Sequence, residues 1–171
     1  MHRSSQHRFL RLILGLGLAS LPPAWADSGR IMPPVVPVAY TQECASCHTA
    51  YPPGMLPARS WRRIMDGLDR HYGTDAMFDP RKAQQIGRWL VANAGTYKRV
   101  ADDPPESRIT RSAWFERKHR KINSEVWKLP SVKSAASCGA CHIGADGGQF
   151  DDDNLRMPAG LTLFQRWAWR D

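Results

Sequence analysis

Cys44-Ala45-Ser46-Cys47-His48 and Cys138-Gly139-Ala140-Cys141-His142 are two copies of the pattern C-x-x-C-H, and together they use all four cysteines of the 171-residue chain. The spacing has a chemical reading. Two thiols separated by two residues reach the two vinyl groups along one edge of a haem and form thioethers, and the adjacent histidine then lies under the iron. A lone C-x-x-C is often a zinc hook or a redox dithiol, and two pairs can build one four-cysteine zinc site. Zinc gives no reason for a histidine directly after each second cysteine. The pattern therefore predicts two covalently bound haem c groups, attached at Cys44, Cys47, Cys138 and Cys141, with His48 and His142 as axial ligands.

Residues 1–26 read as an export signal. Arg3, Arg8 and Arg11 make its positive start, and Phe9 to Leu21 is apolar apart from Arg11, Gly15, Gly17 and Ser20. Pro22-Pro23 ends the run, and Ala24-Trp25-Ala26 supplies an A-x-A cleavage site. The run is too short to span a bilayer, and charges interrupt every later apolar stretch. The mature chain is expected to begin at Asp27, to be soluble and to span no membrane. Thioether attachment takes place outside the cytoplasm in bacteria, so signal and motifs agree on a periplasmic location.

Removing 26 of the 171 residues leaves 145, enough for one compact domain or two small ones. Of the formal charge of +8, three units belong to the signal's arginines, leaving +5. Four haem propionates offset most of that, so the basic balance gives no argument for nucleic acid.

The mature chain divides into two expected halves, 27–100 and 101–171, each carrying one motif. Residues 27–39, with Pro33, Pro34 and Pro37, read as an extended arm. A helix is expected from Ser60, as N-cap, to Tyr72, with Gly73 as its stop. Trp61, Ile64, Leu68 and His71 would share one of its faces. Asp79-Pro80 caps a second helix running through Ala83, Ile86, Leu90 and Ala94 to Gly95. Residues 101–106 (ADDPPE) read as a linker. A third helix is expected from Thr110 or Ser112 to Pro130, with Phe115, His119, Ile122 and Val126 on one face, and a short helix from Ser131 leads into the second motif. No segment alternates with period two. The expected fold class is mostly α: two small helical haem-binding halves with extended loops and no substantial sheet.

The histidine count gives the sharpest inference. Of six histidines, His2 and His7 fall in the signal, and His48 and His142 belong to the motifs. His71 and His119 remain for two vacant iron positions, which predicts two bis-His haems. A single histidine on an apolar helix face is ordinarily a satisfied core residue, but two haems need sixth ligands. Methionine is the alternative, with Met32, Met55, Met65, Met77 and Met157 available. His71 lies 23 residues after His48, and His119 lies 23 before His142. Pairing within each half closes the shorter loops, although which distal histidine serves which haem stays open.

Other features read less sharply. Arg117, Lys118, Arg120 and Lys121 surround His119 and suit an acidic partner or haem propionates; they read equally as a solvated helix face. Asp151-Asp152-Asp153-Asn154 lacks the glycine and terminal glutamate of a calcium loop. Trp61, Trp89, Trp114, Trp127, Trp167 and Trp169 suit haem packing or ordinary core.

Several stretches together resemble one family. Cys44 to His48, Pro57-Ala58-Arg59-Ser60-Trp61 through His71-Tyr72-Gly73, Trp114-Phe115 through His119-Arg120, and Val132 to Cys138 through His142 are similar to the bacterial dihaem cytochromes c that partner the sphaeroides haem protein. The resemblance covers most of residues 40–158, and the stretches between the motifs make it specific. It implies a periplasmic electron carrier with two bis-His haems in two small domains. It also implies electron exchange with a monohaem c-type cytochrome, such as a sphaeroides haem protein, or with a membrane cytochrome b. No ligand position departs from the pattern. The tail after Pro158 lies outside it and reads only as an aromatic surface segment.

The expected function is electron transfer without catalysis, because two six-coordinate irons leave no place for substrate. Three rivals make distinct demands. A dihaem subunit of a periplasmic oxidoreductase such as nitrate reductase needs a catalytic partner. A dihaem peroxidase needs one iron that opens. A gas or redox sensor needs a ligand-dependent structural change.

Overall fold

Residues 31–96, 100 and 102–169 are described in a computed structural model of the protein. The segment read as an export signal lies outside these residues. The described chain is helical. Five short α-helices, α1 (Val38–Cys44), α2 (Ala58–Asp66), α3 (Pro80–Ala92), α4 (Ala113–Lys118) and α5 (Leu163–Ala168), are joined by irregular loops and single 3₁₀ turns. Among the described residues there is no strand, only isolated bridges at Pro57–Gly95, His71–Thr74 and His142–Leu155.

The longest helix forms as its sequence dictates. Asp79 caps α3 by accepting from the backbone N–H groups of Arg81 and Lys82 at 3.0 Å each, and Pro80 occupies the first helical position. Its Ile86 and Leu90 are buried and meet Tyr40 of α1, Trp61 of α2, and Met55 and Leu56 of the intervening loop. Burying each large aliphatic side chain contributes about 1.5–3 kcal/mol. Gly95 lets the end of α3 close onto the start of α2. Its N–H donates to the Leu56 carbonyl at 2.9 Å, and a Cβ there would stand 2.6 Å from the Gly54 oxygen.

Contacts also run between the early and late parts of the chain. Ile109 is a member of this buried cluster, and Phe150 packs against it. The arm runs back over the late part: the Ile31 N–H donates to the Gly148 carbonyl at 3.2 Å. Gly148 has φ 72°, and a Cβ on it would meet Met32 at 2.5 Å, so only glycine fits beneath the arm.

Three expected helices are shorter than their periodicity suggests. α2 begins after Pro57, two residues ahead of the expected cap, and ends at Gly67. Glycine lowers helix stability by about 1 kcal/mol relative to alanine, and here the chain tightens into the 3₁₀ turn Leu68–Arg70. His71 therefore does not extend the helical face of Trp61 and Ile64. α4 starts as expected, with the Ser112 hydroxyl accepting from the Phe115 N–H, but stops at His119. Asn123 then caps a separate 3₁₀ turn, Ser124–Lys128, by accepting from the Glu125 N–H; such side chains compete with helix continuation. Residues 131–137 form turns, with Lys133 at φ 72°, where a short helix is expected.

The segment read as a linker is pinned. Asp103 is bound by Arg59 and Arg63 of α2, with Arg63 Nη2 at 2.7 Å, and accepts from the Ser60 hydroxyl at 3.0 Å. Ser60, expected as a helix cap, instead spends its hydroxyl on this contact while fully buried. Burial opposes the charge on Asp103, but the bonds from Arg63, Arg59 and Ser60 outweigh it and hold the carboxyl below its ordinary pKa. A depressed carboxylate stabilises the fold above its unfolded pKa, and that contribution is lost as pH falls through the folded value. Asp103→Asn should therefore lower the thermal midpoint at pH 7 by about 2–4 °C, the shift expected for about 1 kcal/mol in a chain of this size, and flatten the acid limb of stability. Thermal unfolding of both proteins from pH 7 to pH 3 checks both parts.

Candidate functional site

The first C-x-x-C-H motif leaves the end of α1, whose last residue is Cys44; the second lies on the 3₁₀ turn Cys138–Ala140. No disulfide joins these cysteines. Burial, helped by neighbouring Glu43, pushes the Cys44 thiol up to about 11, and burial pushes Cys138 up to about 11 and Cys141 upward. Activated dithiols need depressed values, so these are poor redox thiols. Among the described residues, no group of three or more His, Cys, Asp or Glu converges as a metal cage.

The histidines are brought together in two pairs. The rings of His48 and His71 have centres 6.2 Å apart with planes 21° from parallel. Those of His119 and His142 lie 6.1 Å apart with planes at 77°. A first-row metal bonds an imidazole nitrogen at about 2.0 Å, and that nitrogen lies about 1.15 Å from the ring centre. Two imidazoles on opposite sides of one metal therefore have centres about 6.3 Å apart. Both pairs match that spacing, and each contains the histidine of one motif. The residues present fit two haems.

Local bonds orient these rings. Thr49 offers its carbonyl to His48 Nδ1 at 2.7 Å, and Phe115 offers its carbonyl to His119 Nδ1 at 2.9 Å. A carbonyl only accepts, so both Nδ1 atoms carry the proton and Nε2 is left free to bind a metal. His142 Nδ1 is buried without a hydrogen-bond partner. Burial lowers the pKa of His71, with His48 and Arg108 adding to it. Burial also lowers those of His119 and His142. All three are kept neutral, the form that ligates metals.

Around His119 and His142 lies a cavity of about 730 Å³, a size proper to cofactor sites. Trp114, Phe115, Trp127, Phe150 and Trp169 are among its walls, with Lys118, Lys121 and Asp151 to Asp153. The His119 ring stacks on Phe115 at 4.0 Å and meets Trp127 edge-on at 5.8 Å. Trp61 and Trp89 serve the α1–α3 core instead: Trp61 is buried and donates to the Pro53 carbonyl at 2.7 Å, while Trp89 packs on Tyr40 at 4.7 Å. Of the methionines, Met55 is buried in that core and also reaches the cavity wall, whereas Met77 and Met157 are exposed. Beside His71 is a more open hollow of about 620 Å³, lined by Arg63, Arg70, Tyr72 and Ser107.

Two tyrosines escaped the sequence reading. Tyr51 stacks on His48 with centres 4.9 Å apart and planes 23° from parallel, and its hydroxyl donates to the Ala136 carbonyl at 2.7 Å. It thereby ties the first histidine pair to the approach of the second motif. Tyr72 follows His71 and bonds to the 106–107 backbone. The only sequence signal for either is an aromatic residue close to a candidate ligand. The second motif also lies close to the residue that follows the first: a Cβ on Gly139 would touch the Thr49 hydroxyl at 3.9 Å.

The model of the dihaem cytochrome c family matches residues 40–150. The chain belongs to the dihaem cytochrome c family. It is 36% identical to the dihaem cytochrome c from Rhodobacter sphaeroides, with a TM-score of 0.60 over 68% of this chain and 98% of that one. It is 38% identical to the dihaem cytochrome type c from Shewanella baltica OS155, with a TM-score of 0.63 over 72% of this chain and 96% of that one. No curated protein matches the sequence significantly. Membership makes the chain a dihaem electron-transfer protein.

Tyr51→Phe keeps the stack on His48 and deletes the bond to Ala136. The expected cost is about 1 kcal/mol, a midpoint lowered by about 2–4 °C, with the ferric spectrum of the loaded protein unchanged. Thermal unfolding and the ferric absorption spectrum check the two halves of this expectation.

Proposed function

We propose that this chain is a periplasmic electron carrier with two covalently attached, bis-His haems and no catalytic activity of its own. Cys44 and Cys47 would attach one haem, ligated by His48 and His71; Cys138 and Cys141 would attach the other, ligated by His142 and His119. The observation that carries this reading is the pair of His–His separations, 6.2 and 6.1 Å, each beside one C-x-x-C-H motif. When bound, each haem supplies an iron that cycles between ferric and ferrous.

The chain's own residues then do four things. The cysteines fix one haem edge. The Thr49 and Phe115 carbonyls hold the tautomers of His48 and His119, which raises ligand basicity. Trp114, Phe115, Trp127 and Phe150 exclude water from the second site. Paired histidines on both sides leave no position for a substrate, the basis for proposing a carrier and not an enzyme. The export signal at residues 1–26 supports the location, since thioether formation belongs outside the cytoplasm.

Two measurements on exported protein test this reading. Intact mass should equal the chain from Asp27 plus two haems; a mass of polypeptide plus zinc would sink it. His71→Ala and His119→Ala should each turn one haem high-spin and open it to carbon monoxide, while the parent binds little. A variant that keeps two fully low-spin haems with unchanged potentials would remove its histidine from the ligand set.

The partner we propose is a redox protein with an acidic docking face, such as a monohaem c-type cytochrome or a membrane cytochrome b. Arg117, Lys118, Arg120 and Lys121 are exposed on and just beyond α4, and Lys118 and Lys121 reach the rim of the second cavity. Redox interfaces are small and weak, so long-range attraction matters to their encounter rate. Exposed charges are screened beyond about 10 Å at 0.1 M salt. Lys118→Glu with Lys121→Glu should slow bimolecular reduction several-fold at low salt, and the difference should shrink as salt rises. Stopped-flow kinetics across a salt series measure this, and rates indifferent to both charge and salt would leave the run a solvated surface.

A further inference from the structure

The two distal histidines are held in different ways. His119 terminates a helix, with its ring stacked on Phe115 and its Nδ1 proton on the Phe115 carbonyl. His71 stands on a turn after Leu68–Arg70. The backbone immediately beyond it is unusual: Tyr72 has φ 51° and Gly73 has φ 96°. The left-handed region is unfavourable for an L-residue, and a bulky side chain there persists only where its surroundings hold it.

The surroundings are specific. The Tyr72 hydroxyl donates to two carbonyls, Glu106 at 3.2 Å and Ser107 at 3.1 Å. These residues have φ 56° each, so a second left-handed turn faces the first. Arg108 lies over the Tyr72 ring, 4.2 Å from its centre, a cation–π contact. Arg108 is itself held by the Glu106 carboxylate at 2.9 Å, which also binds Arg111 at 2.9 Å. The inner edge of the tyrosine meets the His71 ring, 4.8 Å between centres and 63° between planes. Two strained turns, 34 residues apart in sequence, are thus closed on one another through one aromatic side chain lying against a candidate ligand.

We propose that Tyr72, with Arg108 stacked on it, is a positioning clasp that fixes His71 opposite His48. This rests on His71 being an axial ligand. The clasp keeps the turn in its left-handed form, limits swinging of the His71 ring, and couples the first site to the 104–108 segment, which Asp103 in turn anchors to α2.

The test follows how often His71 leaves the iron, read as the rate of carbon monoxide uptake by the reduced, fully loaded protein. His71→Ala is the reference for an open first site and should take up one equivalent at once. Tyr72→Phe keeps the ring and loses the one hydroxyl proton shared between the two carbonyls; it should speed uptake at that same haem about three- to tenfold. Tyr72→Asn suits the left-handed backbone but has no clasp, and should exceed tenfold. Arg108→Gln should move in the same direction. The haem ligated by His119 and His142 should keep its low-spin spectrum throughout. If His71→Ala opens a haem while Tyr72→Phe and Tyr72→Asn stay within twofold of the parent, the clasp is wrong and the ligand reading stands. If His71→Ala leaves both haems low-spin, the ligand reading fails and the clasp falls with it. Should Tyr72→Asn fail to assemble, Tyr72→Phe alone decides.

Discussion

On the proposed bis-His ligation, two imidazoles must stand about 6 Å apart with a flat macrocycle between them, and this chain sets two histidine pairs at that separation. One member of each pair comes almost free of conformational choice, because it follows the second cysteine of its motif. The other must be delivered from elsewhere against loop-closure entropy. Both are delivered from 23 residues away, His71 from after its motif and His119 from before. Closure entropy grows only slowly, by about 0.6 kcal/mol for each doubling of loop length. What limits such a loop is therefore stiffness at its end. One loop contains α2 and ends in the clasped turn at Tyr72. The other contains the Ser124–Lys128 turn and departs from the end of α4. The short helices act as spacers between ligands more than as a bundle.

That arrangement explains why buried contacts concentrate where they do. Tyr40, Trp61, Ile86 and Leu90 lock α1, α2 and α3 together, and α1 ends at Cys44 while α2 leads to His71. The same packing that stabilises the fold thus sets the distance between His48 and His71. Tyr51 extends this rigidity to the second motif through Ala136, and Ile31 does so through Gly148. For a protein that carries electrons on two haems, fixed separation between the sites is functional, since their relation cannot drift with solvent-driven loop motion.

The family was legible in the sequence because C-x-x-C-H is the spacing that covalent haem attachment would impose, and the structure sets His71 and His119, the two histidines left by elimination, beside those of the motifs. His71 was expected on a helical face and stands instead on a turn. Periodicity reports which residues are apolar at a given interval; it does not report that α2 stops at Asp66, six residues before its expected end at Tyr72. The same applies to Ile122 and Val126, which keep helical spacing after the helix has stopped, since Asn123 starts a new turn. Asp79-Pro80 was read correctly because a cap is a local, self-contained interaction. Tyr51, Tyr72 and Asp103 were missed because their partners are backbone carbonyls or side chains distant in sequence, and no local pattern encodes them.

The two sites also differ in the means by which a protein tunes a haem iron. On the proposed ligation, both ligands of the second site are held neutral by burial, in a cavity walled by aromatic rings, and Asp151 and Asp152 face it. Desolvation disfavours the more charged ferric form, whereas nearby carboxylates favour it. Each site has one histidine whose Nδ1 proton rests on a carbonyl, His48 on Thr49 and His119 on Phe115, a bond that strengthens a ligand and favours ferric iron, so this lever does not separate them. The aromatic walls push the second site in one direction, and its acidic rim opposes them. The rim is screened by salt, whereas desolvation is not. Arg63, Arg70 and Glu106, which line the hollow beside His71, are screened in the same way but carry the opposite net sign.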